Sequence, residues 1–276
     1  MKDTIGRLLQ EPLAVVGLVL FGGLLLMAAF APLLEPYDPI AISVGERLRP
    51  PSEAHLFGTD DFGRDIFSRV VDGSRLAVRL GVLSVAVAAS GGVALGLLAG
   101  YYRGWVDTLI SRVLEIMLAF PDLLFAIAIV AILGPGLENL IIALGLFGWP
   151  GYARIVRGSV LSAARREYVE AARTIGAPAR RIMVRHILPN VVAPVIILSA
   201  TRFGGALLAG SGLSFIGLGV PIPQPEWGAI MATGRDYMGT AWWITVFPGM
   251  LIMLAVLGVN LLGDGLRDVL DPRLRT

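Results

Sequence analysis

Leu80-Gly-Val-Leu-Ser-Val-Ala-Val-Ala-Ala-Ser-Gly-Gly-Val-Ala-Leu-Gly-Leu-Leu-Ala-Gly-Tyr-Tyr102 runs for 23 residues without one charged side chain. A helix needs about 20 mostly apolar residues to cross the hydrocarbon core of a bilayer, so the stretch reads as a membrane span. Gly92, Gly96 and Gly100 recur on it at i, i+4 and i+8. Small residues at that spacing let two helix backbones approach closely. Glycine is also common in membrane helices generally, and the ridge alone does not say whether its partner belongs to this chain.

Apolar runs on either side repeat the pattern. Residues 12–34 are uncharged and make a first span. Ala29-Phe-Ala31 has the look of a signal-peptidase site, but Pro32 follows it and the run is longer than a signal core, so a retained anchor is expected. A third span is expected over about 109–133, with Arg112, Glu115 and Asp122 in its first half. The fourth covers 137–158. The fifth covers 191–219 and is interrupted by Arg202, and the sixth covers 242–263. Composition agrees, because 55% hydrophobic, 16% charged and a mean hydropathy of +0.75 lie far from a soluble domain.

Composition also excludes several kinds of chemistry. The net charge of +2 is too small to point to nucleic acid, and no cysteine is present for disulfides, thiolate metal sites or a Cys nucleophile. His55 and His186 are the only histidines and lie far apart, which leaves little material for a metal centre or a catalytic triad. Lys2 is the only lysine, and no Gly-x-x-x-x-Gly-Lys-[Ser/Thr] loop surrounds it. Any ATP the protein depends on must be hydrolysed by another chain.

Arginine bias sets the expected orientation. Residues 151–190 carry eight Arg against two Glu, whereas residues 35–79 carry six Arg against eight acids. Six spans then place the basic segment and both termini in the cytoplasm. The acid-leaning segment and residues 221–241 lie outside, with Trp242 and Trp243 as interfacial anchors.

Within that basic segment lies a polar island, Glu167-Tyr-Val-Glu-Ala-Ala-Arg-Thr-Ile-Gly176, continuing through Ala177 and Pro178 to His186-Ile-Leu-Pro-Asn190. On one continuous helix Leu161, Ala164, Tyr168, Ala171, Ala172 and Ile175 form an apolar stripe opposite Ser162, Arg166, Glu170 and Arg173. Gly176 breaks that helix, Pro178 suits the first turn of the next, and Pro189 is expected to stop it. The result is a short helix–turn–helix on the membrane surface. Physically it suits anionic lipid headgroups or a soluble protein equally well.

Glu170-Ala171-Ala172, Gly176 and Leu188-Pro189 resemble the E-A-A-x3-G-x9-I-x-L-P pattern of bacterial ABC-importer permeases. His186 departs from it where the pattern has Ile, and resembles the R-H-[I/V]-L-P-N form of the peptide and nickel branch. His55-Leu-Phe-Gly-Thr-Asp-Asp-Phe-Gly-Arg-Asp-Ile-Phe-Ser-Arg69 is similar to a run in the second (C-type) inner-membrane subunit of that branch. So are Leu213–Gly219, Pro225–Gly228 and Asn260–Arg273. Gly210 stands where the family commonly carries an acidic residue.

The resemblance implies an all-α membrane protein of six transmembrane helices, a type I importer permease core preceded by one extra N-terminal span. Residues 1–35 would hold the cytoplasmic N-terminal segment and first helix, 36–79 an extracytoplasmic loop, and 80–263 the five-helix core. Within the core, 159–190 would be the cytoplasmic coupling segment, and 264–276 a cytoplasmic tail. It implies a non-catalytic subunit of the cytoplasmic (inner) membrane of a bacterium or archaeon that binds no cofactor. ATP and Mg would sit on two cytoplasmic ATP-binding subunits. The further partners would be a paralogous permease subunit, forming the translocation path with it, an extracytoplasmic solute-binding protein and membrane lipid. Peptides would cross by alternating access, with nickel or another small solute as the alternative cargo. An ion-gradient-driven secondary transporter, a reading from another class, would show inverted repeats and paired buried carboxylates, which are not seen. An intramembrane enzyme would need nucleophile–base or metal sets, for which the histidine and cysteine counts leave little room.

The same resemblance assigns ATPase coupling to Glu167, Glu170, Ala171, Ala172, Arg173, Gly176, Ala177, Pro178, His186, Leu188 and Pro189. Arg202 carries a charge near the middle of a span. It either lines the translocation path or pairs, with Asp122 as one partner, to fix helix packing. Asp60, Asp61, Arg64 and Asp65 read as a salt-bridged loop in preference to a cation site, because Arg64 and Arg69 intersperse opposite charge. Arg112 and Glu115 are spaced for a local i,i+3 pair.

Overall fold

The computed structural model describes residue 6 and residues 8–270. Lys2, Asp271, Pro272 and Arg273, and the end of the expected tail, lie outside the described residues. The regular elements of the described chain are helices. Its long elements are α1 (Pro12–Leu34), α2 (Ile66–Tyr102), the pair α3 (Gly104–Leu118) and α4 (Asp122–Leu133), and α5 (Leu137–Ala163). A short α6 (Glu167–Thr174) follows, then α7 (Leu188–Phe215), a short α8 (Trp227–Gly234) and α9 (Trp243–Leu270). Five of these are long and apolar enough to cross a membrane, or six if the bent pair α3 and α4 counts as one span.

Three expectations are corrected. The third span is not straight, because α3 and α4 meet at 87°. Pro121 lacks an N–H and its ring pushes Phe120 out of helical geometry, so the chain turns there before α4 begins. The second span begins at Ile66, not Leu80, so the last part of the loop expected over 36–79 is helix. Asp65 starts it: its carboxylate accepts from the Ser68 amide at 2.7 Å, an N-cap. Pro189 does not stop the second surface helix, since the chain is helical without a break from Ala179 to Phe215. The turns over Ile182–Ile187 are widened to π spacing, with the Leu188 amide donating back to the Met183 carbonyl. That wider register accommodates a residue with no donor.

α2 and α5 form the central seam, and the glycine ridge of α2 finds its partner inside this chain. A Cβ on Gly96 would lie 2.7 Å from the Ala153 carbonyl oxygen and from Val156 Cβ, and one on Gly100 2.7 Å from Val160 Cβ. α1 packs on α9 and α2, again through glycine: a Cβ on Gly258 would come 2.6 Å from Leu20 Cβ. Four of the five long helices carry an internal proline, at Pro32, Pro150, Pro194 and Pro248. α2, the longest single α-helical element at 37 residues, has none.

The two ends of the bundle differ. At one end residues 35–65 fold back over the bundle and are pinned by polar contacts. Arg64 Nε reaches Asp60 Oδ2 at 2.6 Å in a buried pair, and Arg69 donates to the Pro39 carbonyl at 2.9 Å. Trp243 Nε1 donates to the Thr59 carbonyl at 3.0 Å, and Trp227 Nε1 to the Val70 carbonyl at 2.9 Å. The Asp60 cluster is therefore the ion-paired loop expected. Trp243 is buried, so of the two tryptophans expected as interfacial anchors only Trp242 is exposed, and Trp227 is buried as well. The basic segment occupies the opposite end.

Candidate functional site

The basic end is built around α6. Glu167 and Glu170 lie in its first turn and Arg173 in its last, each charge favourable at that end of a helix dipole. Gly176 adopts φ +77°, a conformation that strains any residue with a Cβ. Around it the Gly176 amide donates to the Arg173 carbonyl at 2.9 Å and the Ala177 amide to the Ala172 carbonyl at 3.0 Å. Those two bonds define a Schellman stop, which satisfies the last carbonyls and reverses the chain toward Pro178.

The turn is fastened from beneath. Val169 and Ala172 are buried with Ile182, Ile187 and Val191 against Val156, Val160 and Ala163 of α5. The inward face thus differs from the stripe read off one continuous helix. Ala171 and Ile175 point away from the bundle, Ile175 at 84% exposure, and Tyr168 lies at its edge, its hydroxyl accepting from Asn190 Nδ2 of α7 at 3.1 Å. The bend at residues 164–166, between α5 and α6, resets the helical phase, so a wheel drawn from Leu161 to Ile175 mixes two faces. Glu167, Glu170, Arg173, Pro178 and Pro189 are exposed, and Ala177 and Leu188 half-buried. His186 is turned toward its own helix, its Nδ1 3.5 Å from the Arg181 carbonyl. Arg180, Arg181 and Arg185 flank a shallow groove with Pro178 and Val184.

Two contacts missed from the sequence tie this end to the spans. Arg173 lies over the Tyr101 ring, 5.3 Å from its centroid, joining α6 to the end of α2. Arg157 of α5 grips Asp107 of α3 with both nitrogens, Nε at 2.5 Å and Nη2 at 2.7 Å. Neither had a local signal, because each joins residues 50 or more apart in sequence.

Within the bundle, Arg202 reaches Asp122 with Nη1 3.5 Å from Oδ2. Both line an open cavity of about 210 Å³ between α2, α4, α5 and α7. Small residues leave the space, among them Ser84, Ala88, Gly148 and Gly205. The Asp122 pairing was one of the two roles weighed for Arg202, and the cavity was not visible in the sequence.

Residues 92–276 match the family described as binding-protein-dependent transport system inner membrane component. The chain belongs to that family. Residues 1–51 of this permease match a second family, the N-terminal TM domain of oligopeptide transport permease C. The permease is 46% identical over its whole length to a dipeptide transport system permease protein of Alkalihalophilus pseudofirmus, covering 90% of that protein. It is 46% identical to a di/tripeptide transport permease of Pseudomonas aeruginosa, with 92% of this chain and 88% of that protein covered. Against a glutathione transport permease of Pectobacterium atrosepticum the identity is 43%, covering 98% and 90%. Among solved structures the MetNI methionine ABC transporter shares the fold with a TM-score of 0.60 at 18% identity, over 74% of this chain and 97% of that one. The protein is therefore a multi-pass inner-membrane permease subunit of an ABC importer, a non-catalytic component that works with ATPase and binding-protein partners.

Proposed function

We propose that this permease pairs with a paralogous subunit to form the path for short peptides, glutathione-type tripeptides included, and that α6 and the turn after it receive the stroke of one of two ATPases. The observation that carries the coupling role is the two-sided character of α6. One face is locked into the bundle by Val169, Ala172, Ile182 and Ile187, and the other presents Ala171 and Ile175 outward. A lipid-bound surface helix would also bury an apolar face, but it would not need a rigid Schellman stop and a cation–π tie to α2. The peptide cargo is supported by the names of relatives that match nearly the full length. The basic end and both termini face the cytoplasm in this reading, following the arginine bias. ATP and Mg bind the partner ATPases, and alternating access follows from their closing and opening.

Glu170→Arg and Gly176→Pro test the coupling role. The first reverses a charge on the exposed face; the second removes the amide that closes the turn. Both variants should insert and co-purify with the second permease, while peptide uptake falls at least tenfold relative to ATP hydrolysed. Uptake and stimulated ATPase both at wild-type levels would overturn the assignment.

A further inference from the structure

A charge near the middle of a span costs roughly 2.5–3.5 kcal/mol on insertion scales unless it is paired or meets water. A pair kept for packing alone recovers this by closing to about 2.7–2.9 Å, away from solvent. Arg202 and Asp122 do neither. They stand 3.5 Å apart, with side chains 35% and 60% exposed. Among the described residues the Arg202 guanidinium makes no other hydrogen bond, so most of its planar fork is without a protein partner.

Its position is nevertheless built. A Cβ on Gly151 would come 2.6 Å from Nη2, so α5 is notched where the guanidinium lies. Arg202 stands near the middle of α7, and Asp122 is delivered beside it by the bend at Pro121 that starts α4. The cavity they share is otherwise mainly apolar, walled by Val85, Leu123, Leu144 and Phe147. It therefore offers one cation and one anion side by side on an apolar wall. The complement is a small zwitterion.

We infer that Arg202 and Asp122 form a transient substrate site for the free ends of a short peptide. The terminal carboxylate replaces Asp122 on the guanidinium fork, which is shaped for bidentate carboxylate binding, and Asp122 takes the terminal ammonium. The open, long pair suits this role, because a site on a path must release what it binds. At about 210 Å³ the cavity is smaller than the roughly 300–1,000 Å³ that encloses a whole small ligand, so the peptide side chains extend beyond it. The inference rests on the peptide-import reading above.

The test uses the complete importer in proteoliposomes, both permeases with their ATPases and binding protein, and radiolabelled dialanine with glutathione in parallel. Arg202→Gln is expected to lower uptake at least tenfold while ATP hydrolysis stimulated by the binding protein stays within twofold. Arg202→Lys keeps the charge and loses the fork, so an intermediate loss is expected; it also serves if the Gln variant does not assemble. The double variant Arg202→Gln with Asp122→Asn separates a site from a packing pair, because a neutral amide pair can still pack but offers no charges to a zwitterion. Wild-type uptake in that double variant, or in Arg202→Gln or Arg202→Lys, overturns the inference. Wild-type liposomes that accumulate neither peptide would overturn the peptide reading, and this site with it.

Discussion

Glu226 shows how much one buried side chain decides at the end opposite the turn at Gly176. It is 5% exposed and caps α8, one oxygen accepting from the Ala229 amide at 2.9 Å and the other from Ser211 Oγ at 3.0 Å. It thereby ties α8 to α7. Burial raises its pKa above the usual carboxylate value, against the pull of the backbone donors that favour the anion. Burial also raises Asp61, with help from the neighbouring Asp60 charge. A raised acid binds its proton more tightly folded than unfolded. The stability it contributes is full below the ordinary carboxylate value and declines as pH rises through the raised one. Thermal unfolding of the detergent-solubilised importer should therefore show a falling midpoint as pH rises above about 4.5, and Glu226→Gln should flatten part of that slope. An unchanged slope in the variant would remove Glu226 from the account.

At the scale of elements the α2–α5 seam is a test of packing without polar help. Gly96→Leu places a Cβ 2.7 Å from Val156 Cβ and the Ala153 carbonyl, so the helices must part. Overpacking of that kind costs about 1–3 kcal/mol. Gly158→Ala, on α5, the partner helix of the seam, meets nothing within 4 Å and should be neutral or slightly stabilising through helix propensity. Comparing the unfolding midpoints of the two variants checks this; equal midpoints would mean that the seam yields. The spans were legible in sequence because hydropathy reports what lipid must accept. The start of α2 at Ile66 was not, because Arg69, Asp72, Arg75 and Arg79 make its first turns polar. Asp65 with Ser68 was the available signal. The direction of Val169 and Ile175 was lost for another reason: residues 164–166 change the helical phase, and composition does not record phase. The Arg202–Asp122 approach was legible as one option because few charges lie within spans. The cavity around it depends on four helices meeting, which no local pattern encodes.

Across the whole molecule, buried apolar clusters divide by end. One holds α6 and the turn after it to α5 and α7, and the others knit α1, α2, α7, α8 and α9, and α4 with α5, toward the looped end. α2 passes between them. Its Tyr101 lies under Arg173 at one end, and its Ser68 and Val70 are held by Tyr37 and Trp227 at the other. At about 1.5 Å per residue its 37 residues span roughly 55 Å with no proline to bend at. A rod of that length pivoting at its middle shifts each tip by about half an ångström per degree. Helices with internal prolines can absorb a push by flexing. With no such hinge, α2 is expected to move as one rigid lever, so that a small push beneath Arg173 would appear as an opposite displacement at the far cap. Spin labels at Asp72 and Tyr102 should keep one separation with and without ATP on the partner subunits; a changed separation would show a bending shaft and no lever.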